Sequence, residues 1–114
     1  MARQPFERGS MIWRADRRVI YVLYADGRWQ AFDDAWTEGM PESDAGLTPP
    51  AGLVQPLRGF GLVWRTKLGG RAAALGWATE TEQGLTGSVQ PWDGGEVVHL
   101  GDTTYVLLAN GQWR

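Results

Sequence analysis

The phrase YVLYADGRW at residues 21–29 returns as YVLLANGQW at residues 105–113. A chain that repeats itself at this length is built from duplicated supersecondary units. Such units bury their apolar sides only by packing on one another. The phrase itself reads as a β-hairpin. A β-rich run, Ile20 to Tyr24 or Thr103 to Leu108, leads into Asp26-Gly27 or Asn110-Gly111, and a Trp follows, Trp29 or Trp113. Asp-Gly and Asn-Gly between apolar runs predict a type I′ turn, which needs positive φ at both central residues.

The duplication extends upstream. QPFERGSMIWR (4–14) precedes the first phrase and QPWDGGEVVHL (90–100) precedes the second, with a partial third version, QPLRGFGLVWR, at 55–65. The order is constant: Gln-Pro, a glycine, an apolar pair, the hairpin. This predicts two three-stranded meanders, over about 10–14, 19–24 and 28–32, and about 95–100, 103–108 and 111–113. A short strand is allowed before each at the Gln-Pro, where proline tolerates only an edge or a turn.

Between the meanders the period changes. Phe60, Val63, Trp64 and Leu68 fall at helical spacing, and Gly69-Gly70 supplies a stop, so 60–68 reads as a helix. A strand over 61–65, like its MIWR counterpart, is the competing reading. Phe32, Ala35 and Trp36 suggest a helical turn over 32–37. GMPESDAGLTPPAG (39–52) is rich in Pro, Gly and acids and reads as a loop, held to the surface by Leu47 and Leu53. The fold class expected is mainly β: hairpin or meander repeats with one or two short helices, in one small pseudo-symmetric, propeller-like or barrel-like domain over residues 1–114. The first repeat covers about 3–44, the loop 39–53 and the second repeat about 54–114.

Composition narrows the function. The net charge is −2 with no basic stripe, and no apolar run spans a bilayer, so nucleic acid and membrane insertion are not expected. MARQPFERGS contains no apolar leader. The absence of cysteine removes thiolate metal sites, and the one histidine, His99, leaves little material for a metal centre or a Ser-His-Asp triad. His99 stands where the other two versions carry Trp13 and Trp64 and reads as a packing substitute. Asp33, Asp34, Glu38, Glu80 and Glu82 lie in turn-like acidic clusters, better suited to satisfying loop amides than to paired acid–base work. No catalytic residue, metal or cofactor is expected.

Leu75-Gly76-Trp77, an acid at Glu80 or Glu82, then Gln90, Trp92 and Gly94-Gly95 before a hairpin form a pattern that resembles the LGFP repeat of bacterial cell-surface proteins; Ala78 stands in place of that family's proline. The resemblance implies a secreted or wall-attached parent protein. It also implies a propeller-like repeat array and binding of cell-wall polysaccharide.

Seven Trp are the main functional hint. Trp13, Trp64 and Trp77 lie in apolar settings and read as core, with Ile12, Val22, Val63, Leu75, Val98 and Val106. Trp36 and Trp92 lie beside charged or Gly-rich segments and read as partly exposed platforms. An indole offers a sugar ring a flat apolar face while its N–H still donates. The expected ligand-binding set is Trp92 with Asp93 and Gln90, an equivalent set of Phe6 with Glu7 and Arg8, and Trp36. Trp-Arg pairs at 13–14, 64–65 and 113–114 predict a repeated exposed Arg surface, since strand neighbours face opposite sides. The functional expectation is a non-catalytic module recognising a cell-surface or cell-wall polysaccharide, in an extracellular setting within a larger parent. The alternative is a structural or protein–protein interaction module with every Trp in the core.

Overall fold

Val19 to Tyr24 is apolar at every position, and only Val19 keeps partial exposure. A strand of this kind must be covered on both faces, and the architecture follows from that demand. The computed structural model describes residues 1–114. Its elements are β1 (Ala2–Phe6), β2 (Gly9–Arg14), β3 (Val19–Tyr24), β4 (Trp29–Asp33), α1 (Arg58–Thr66), β5 (Gln83–Gly84), β6 (Gly87–Trp92), β7 (Gly95–Leu100) and β8 (Thr103–Leu108). They form a five-stranded antiparallel sheet, β4-β3-β2-β1-β5, and a three-stranded one, β6-β7-β8. The protein is therefore mainly β with one α-helix.

The two sheets share one plan. Phe6 pairs with Gly9, and Gly9 with Tyr24, in the first. Trp92 pairs with Gly95, and Gly95 with Leu108, in the second. Ile12, Tyr21 and Leu23 of the first meander thus correspond to Val98, Tyr105 and Leu107 of the second. These six residues, with Leu100, form the buried core between the sheets. A polar tie crosses the same interface: the buried Arg14 donates to Glu96 (2.9 Å) and Tyr21 Oη donates to the other Glu96 oxygen (2.9 Å). The hydrogen bond to Asp16 raises the Arg14 guanidinium above its ordinary pKa, and burial pushes the Tyr21 phenol up.

The repeated phrase forms the seam between the copies. The Trp29 backbone N–H donates to the Gly111 carbonyl (2.9 Å), and the Trp113 backbone N–H donates to the Gly27 carbonyl (2.8 Å). The Trp29 indole donates to the Leu108 carbonyl (2.8 Å), and the Trp113 indole to the Tyr24 carbonyl (2.7 Å). Each ring also leans on a tyrosine of its own copy, Trp29 on Tyr21 and Trp113 on Tyr105. The contact is self-complementary, like an isologous interface within one chain. Each Trp gives a second hydrogen bond to the carbonyl that closes the other copy's turn.

The turns differ from the type I′ expectation. The Gly27 N–H donates to the Tyr24 carbonyl and the Tyr24 N–H to the Arg28 carbonyl; Leu108, Gly111 and Gln112 repeat both bonds. Only the glycines have positive φ, +96° and +88°, so Asp26 and Asn110 occupy ordinary space. Each loop is a type I turn followed by a left-handed glycine, the bulged hairpin that is the next most common solution. The aspartate and asparagine instead accept the N–H two residues on, Arg28 (3.1 Å) and Gln112 (3.0 Å). Nothing lies within 4 Å of a side chain added at either glycine. Gly27→Ala and Gly111→Ala are therefore expected to cost about 1 kcal/mol each, from backbone strain alone. Urea unfolding checks the value.

The other face of β3 is covered by α1 and the segment after it. Phe60, Val63, Trp64, Ala73, Leu75 and Trp77 join Met11, Ile20, Val22 and Tyr24 in a 13-residue core. The helical reading of 60–68 holds, shifted to Arg58–Thr66, and the strand alternative does not. Residues 54–84, grouped by sequence with the second repeat, pack on the first sheet. Leu47 and Leu53 pin the long loop to the same core. Residues 34–37 form no helical turn. The Asp34 N–H is taken by the Arg18 carbonyl (2.8 Å), and the Asp34 side chain accepts the Trp36 N–H (3.2 Å). This Asx-type turn competes with helix.

Candidate functional site

Trp13 and Trp36 meet across an open groove of about 310 Å³, lined also by Asp34, Arg58, Gly59, Phe60 and Glu82. Each wall has a local cause. Trp13 lies on the outer face of β2 and is half-buried against the core. Its indole donates to Asp34 Oδ2 (2.9 Å), while Oδ1 takes the Trp36 N–H. One carboxylate therefore ties the Trp13 ring to the Trp36 backbone. The Trp36 indole donates to the Pro41 carbonyl (3.2 Å), fixing the second ring from the loop side. Arg18 braces the same stretch, its guanidinium donating to the Trp36 carbonyl (3.3 Å).

The third wall is the start of α1. Arg58 has φ +52°, a left-handed conformation that is rare for an arginine. Its N–H donates to the Glu42 carbonyl (2.8 Å), and its guanidinium donates to Glu82 Oε1 (3.0 Å). Backbone strain held in place by surrounding contacts is common at binding sites. Gly59 lies against Asp34: a side chain there would approach Oδ1 to 2.6 Å. The groove is thus lined by two indoles, a guanidinium and two carboxylates. Its volume is at the small end of ligand clefts.

Trp36, expected as a platform, is half-buried and lines this groove. Trp92 is 50% exposed, at the β6–β7 turn, with one side of its indole against Gly94. Gln90 and Asp93 beside it are exposed, on an open face rather than in a groove.

The equivalent set at Phe6 is a correction. Phe6 is 5% exposed and belongs to the core. Glu7 and Arg8 are engaged with the Leu75-Gly76-Trp77 segment. The Glu7 N–H donates to the Trp77 carbonyl (2.9 Å), Glu7 Oε1 accepts the Trp77 N–H (3.0 Å), and Arg8 Nε donates to the Ala74 carbonyl (2.7 Å). The two Gln-Pro-aromatic turns match in sequence, yet only the first is covered by 74–79.

Three further readings are corrected. Trp13 and Val106 are half-buried rather than core residues. The Trp-Arg pair at 13–14 is inverted: Arg14 is 7% exposed and turns to the inter-sheet interface, leaving Trp13 on the outer face. His99, at the Trp13 position of the second copy, is exposed and bonds only Thr104 (Nδ1 to Oγ1, 3.0 Å). Sequence reasoning missed Trp13, Arg58 and Glu82 as groove residues. The one signal for Trp13 was its correspondence to a polar residue, His99, which marks a position that need not be buried.

No protein-family model, curated protein or solved structure matches this chain.

Proposed function

We propose that this protein is a non-catalytic recognition module that binds a polysaccharide of a bacterial cell surface or wall in the groove between Trp13 and Trp36. One observation carries the reading: two indoles from separate elements line one open groove, Trp13 held through its indole and Trp36 through its backbone by the same aspartate, with Arg58 and Glu82 beside them. Stacking on the rings gives affinity with little ordering cost, and the fork of Arg58 and the carboxylates select hydroxyl positions. Both Asp34 oxygens are occupied by N–H donors and Glu82 is paired with Arg58, which suits holding a ligand better than moving protons. The resemblance of Leu75-Gly76-Trp77 to the LGFP signature supports the same ligand class and an extracellular setting within a larger parent.

Calorimetry with soluble cell-wall polysaccharide fragments tests this. Trp36→Ala is expected to weaken binding about tenfold or more, the equivalent of one lost stacking contact. Its melting temperature should stay near wild type, since Trp36 belongs to neither core. Added salt should change affinity little, because stacking is not screened. Unchanged binding by Trp36→Ala contradicts the proposal. Loss confined to Trp92→Ala moves the site to Gln90, Trp92 and Asp93.

A further inference from the structure

The two meanders are alike in plan but not in covering. Phe6, Met11, Val22 and Tyr24 on the outer face of the first sheet lie under α1 and Trp77. By register their counterparts in the second sheet are Trp92, Val97, Val106 and Leu108. None of the four joins either buried core, and all four keep solvent exposure. The apolar pattern of a covered face is present without its cover.

The strand edge repeats the asymmetry. In the first sheet the outer edge of β1 is paired by the segment that follows α1. The Glu7 N–H donates to the Trp77 carbonyl, the Thr79 N–H to the Pro5 carbonyl (2.9 Å), and Ala2 pairs with Gly84. In the second sheet β6 is an edge strand. Its counterparts, the Asp93 N–H and the Pro91 carbonyl, have no backbone partner. Face and edge are open together, and in the first copy a single segment, residues 54–84, closes both.

Charge points the same way. Residues 54–84 carry Arg58, Arg65, Lys67 and Arg71 against Glu80 and Glu82, and Glu82 is paired with Arg58. The strands of the second sheet and their turns carry Asp93 and Asp102 and neither Lys nor Arg; their third acid, Glu96, turns to the inter-sheet side and is paired with Arg14. The uncovered sheet holds no cationic side chain, and the segment that covers its twin has four basic side chains against two acids.

We infer that the outer face of the second sheet, with the free edge of β6, is a docking surface for a basic helix-and-strand segment of the same chemistry as residues 54–84, presented by another repeat of this kind. The helix lays its Phe-x-x-Val-Trp face on Trp92, Val97, Val106 and Leu108, and the strand after it adds to β6 by main-chain hydrogen bonds. The groove of the proposed function lies on the first sheet and is not part of this surface, so the two readings stand or fall separately.

A synthetic peptide of residues 53–84 is titrated into the intact, isotope-labelled protein. Saturable one-to-one binding is expected, with shifts at Val97, Val106 and Leu108 amides and the Trp92 indole, and none at Trp64. Val97→Glu should weaken binding about tenfold or more by burying a charge. A peptide with glutamate in place of Arg65, Lys67 and Arg71 should not bind. Shifts confined to Met11 and Val22 would show exchange at the first sheet and overturn the inference, as would unchanged binding by Val97→Glu. A fusion that repeats residues 31–84 after Arg114 keeps the test decisive if the free peptide is unstructured. It should shield Trp92 from iodide and slow amide exchange at Val106 about tenfold or more. A fusion whose added segment is cleaved rapidly by protease, with Trp92 as accessible as before, overturns the inference.

Discussion

Replacing Trp64 by alanine is expected to cost about 3–5 kcal/mol, close to the whole stability of a domain this small. Trp64 is fully buried, and its ring lies 5.0 Å from that of Trp77. Its indole donates to the Gly76 carbonyl (2.9 Å) inside the Leu75-Gly76-Trp77 turn. Truncation opens a cavity at the centre of the helical layer and also orphans a buried carbonyl. The damage should spread to β1, because the same turn supplies the bonds to Glu7 and Arg8. Urea unfolding followed by circular dichroism checks this. A Trp64→Ala protein with the wild-type midpoint would mean that the helical layer contributes nothing to the fold.

Gly9→Ala and Gly95→Ala should be nearly as damaging. These glycines occupy equivalent places after the first turn of each meander, with φ of +149° and +145°. A Cβ at Gly9 falls on the Leu23 carbonyl oxygen and 2.7 Å from Leu75 Cδ1; at Gly95 it falls on the Leu107 carbonyl oxygen. Both carbonyls are strand backbone and cannot swing aside. Conformational strain and overpacking then add, to about 3 kcal/mol or more at each site. Gly9→Ala should be the worse of the two, since it also meets Leu75. Both should far exceed Gly27→Ala and Gly111→Ala. Similar urea midpoints for all four variants would contradict this account of the repeat.

The sequence carried much of this plan. The β-rich runs from Ile20 to Tyr24 and from Thr103 to Leu108 marked two equivalent strands, β3 and β8, but the nearly identical YVLY and YVLL did not reveal that only the first is covered on both faces. The spacing of Phe60, Val63 and Trp64 gave the helix. Local signals were less able to choose between turn types, because Asp-Gly serves a bulged hairpin as well as a type I′ turn. Three features depended on contacts distant in sequence. Phe6 was read as exposed because its turn matches that of Trp92, and nothing local reveals that residues 74–79 cover it. Trp36 leaves the helical pattern because Asp34, tied to Arg18, accepts its N–H. The indole exchange between Trp29 and Trp113 needs both hairpins in place before either bond exists.

The repeated phrase is therefore about the fold, and the proposed activity lies where the two copies differ: Trp13 against His99, and Trp36 with no counterpart. The seven Trp give each candidate its own indole N–H signal. The most direct measurement is a proton–nitrogen correlation spectrum of the intact protein titrated with cell-wall polysaccharide fragments. The account predicts saturable shifts of the Trp13 and Trp36 indole signals, with those of Trp29, Trp64 and Trp113 unmoved. Shifts at Trp29 and Trp113, or a titration that leaves Trp13 and Trp36 in place, would contradict it.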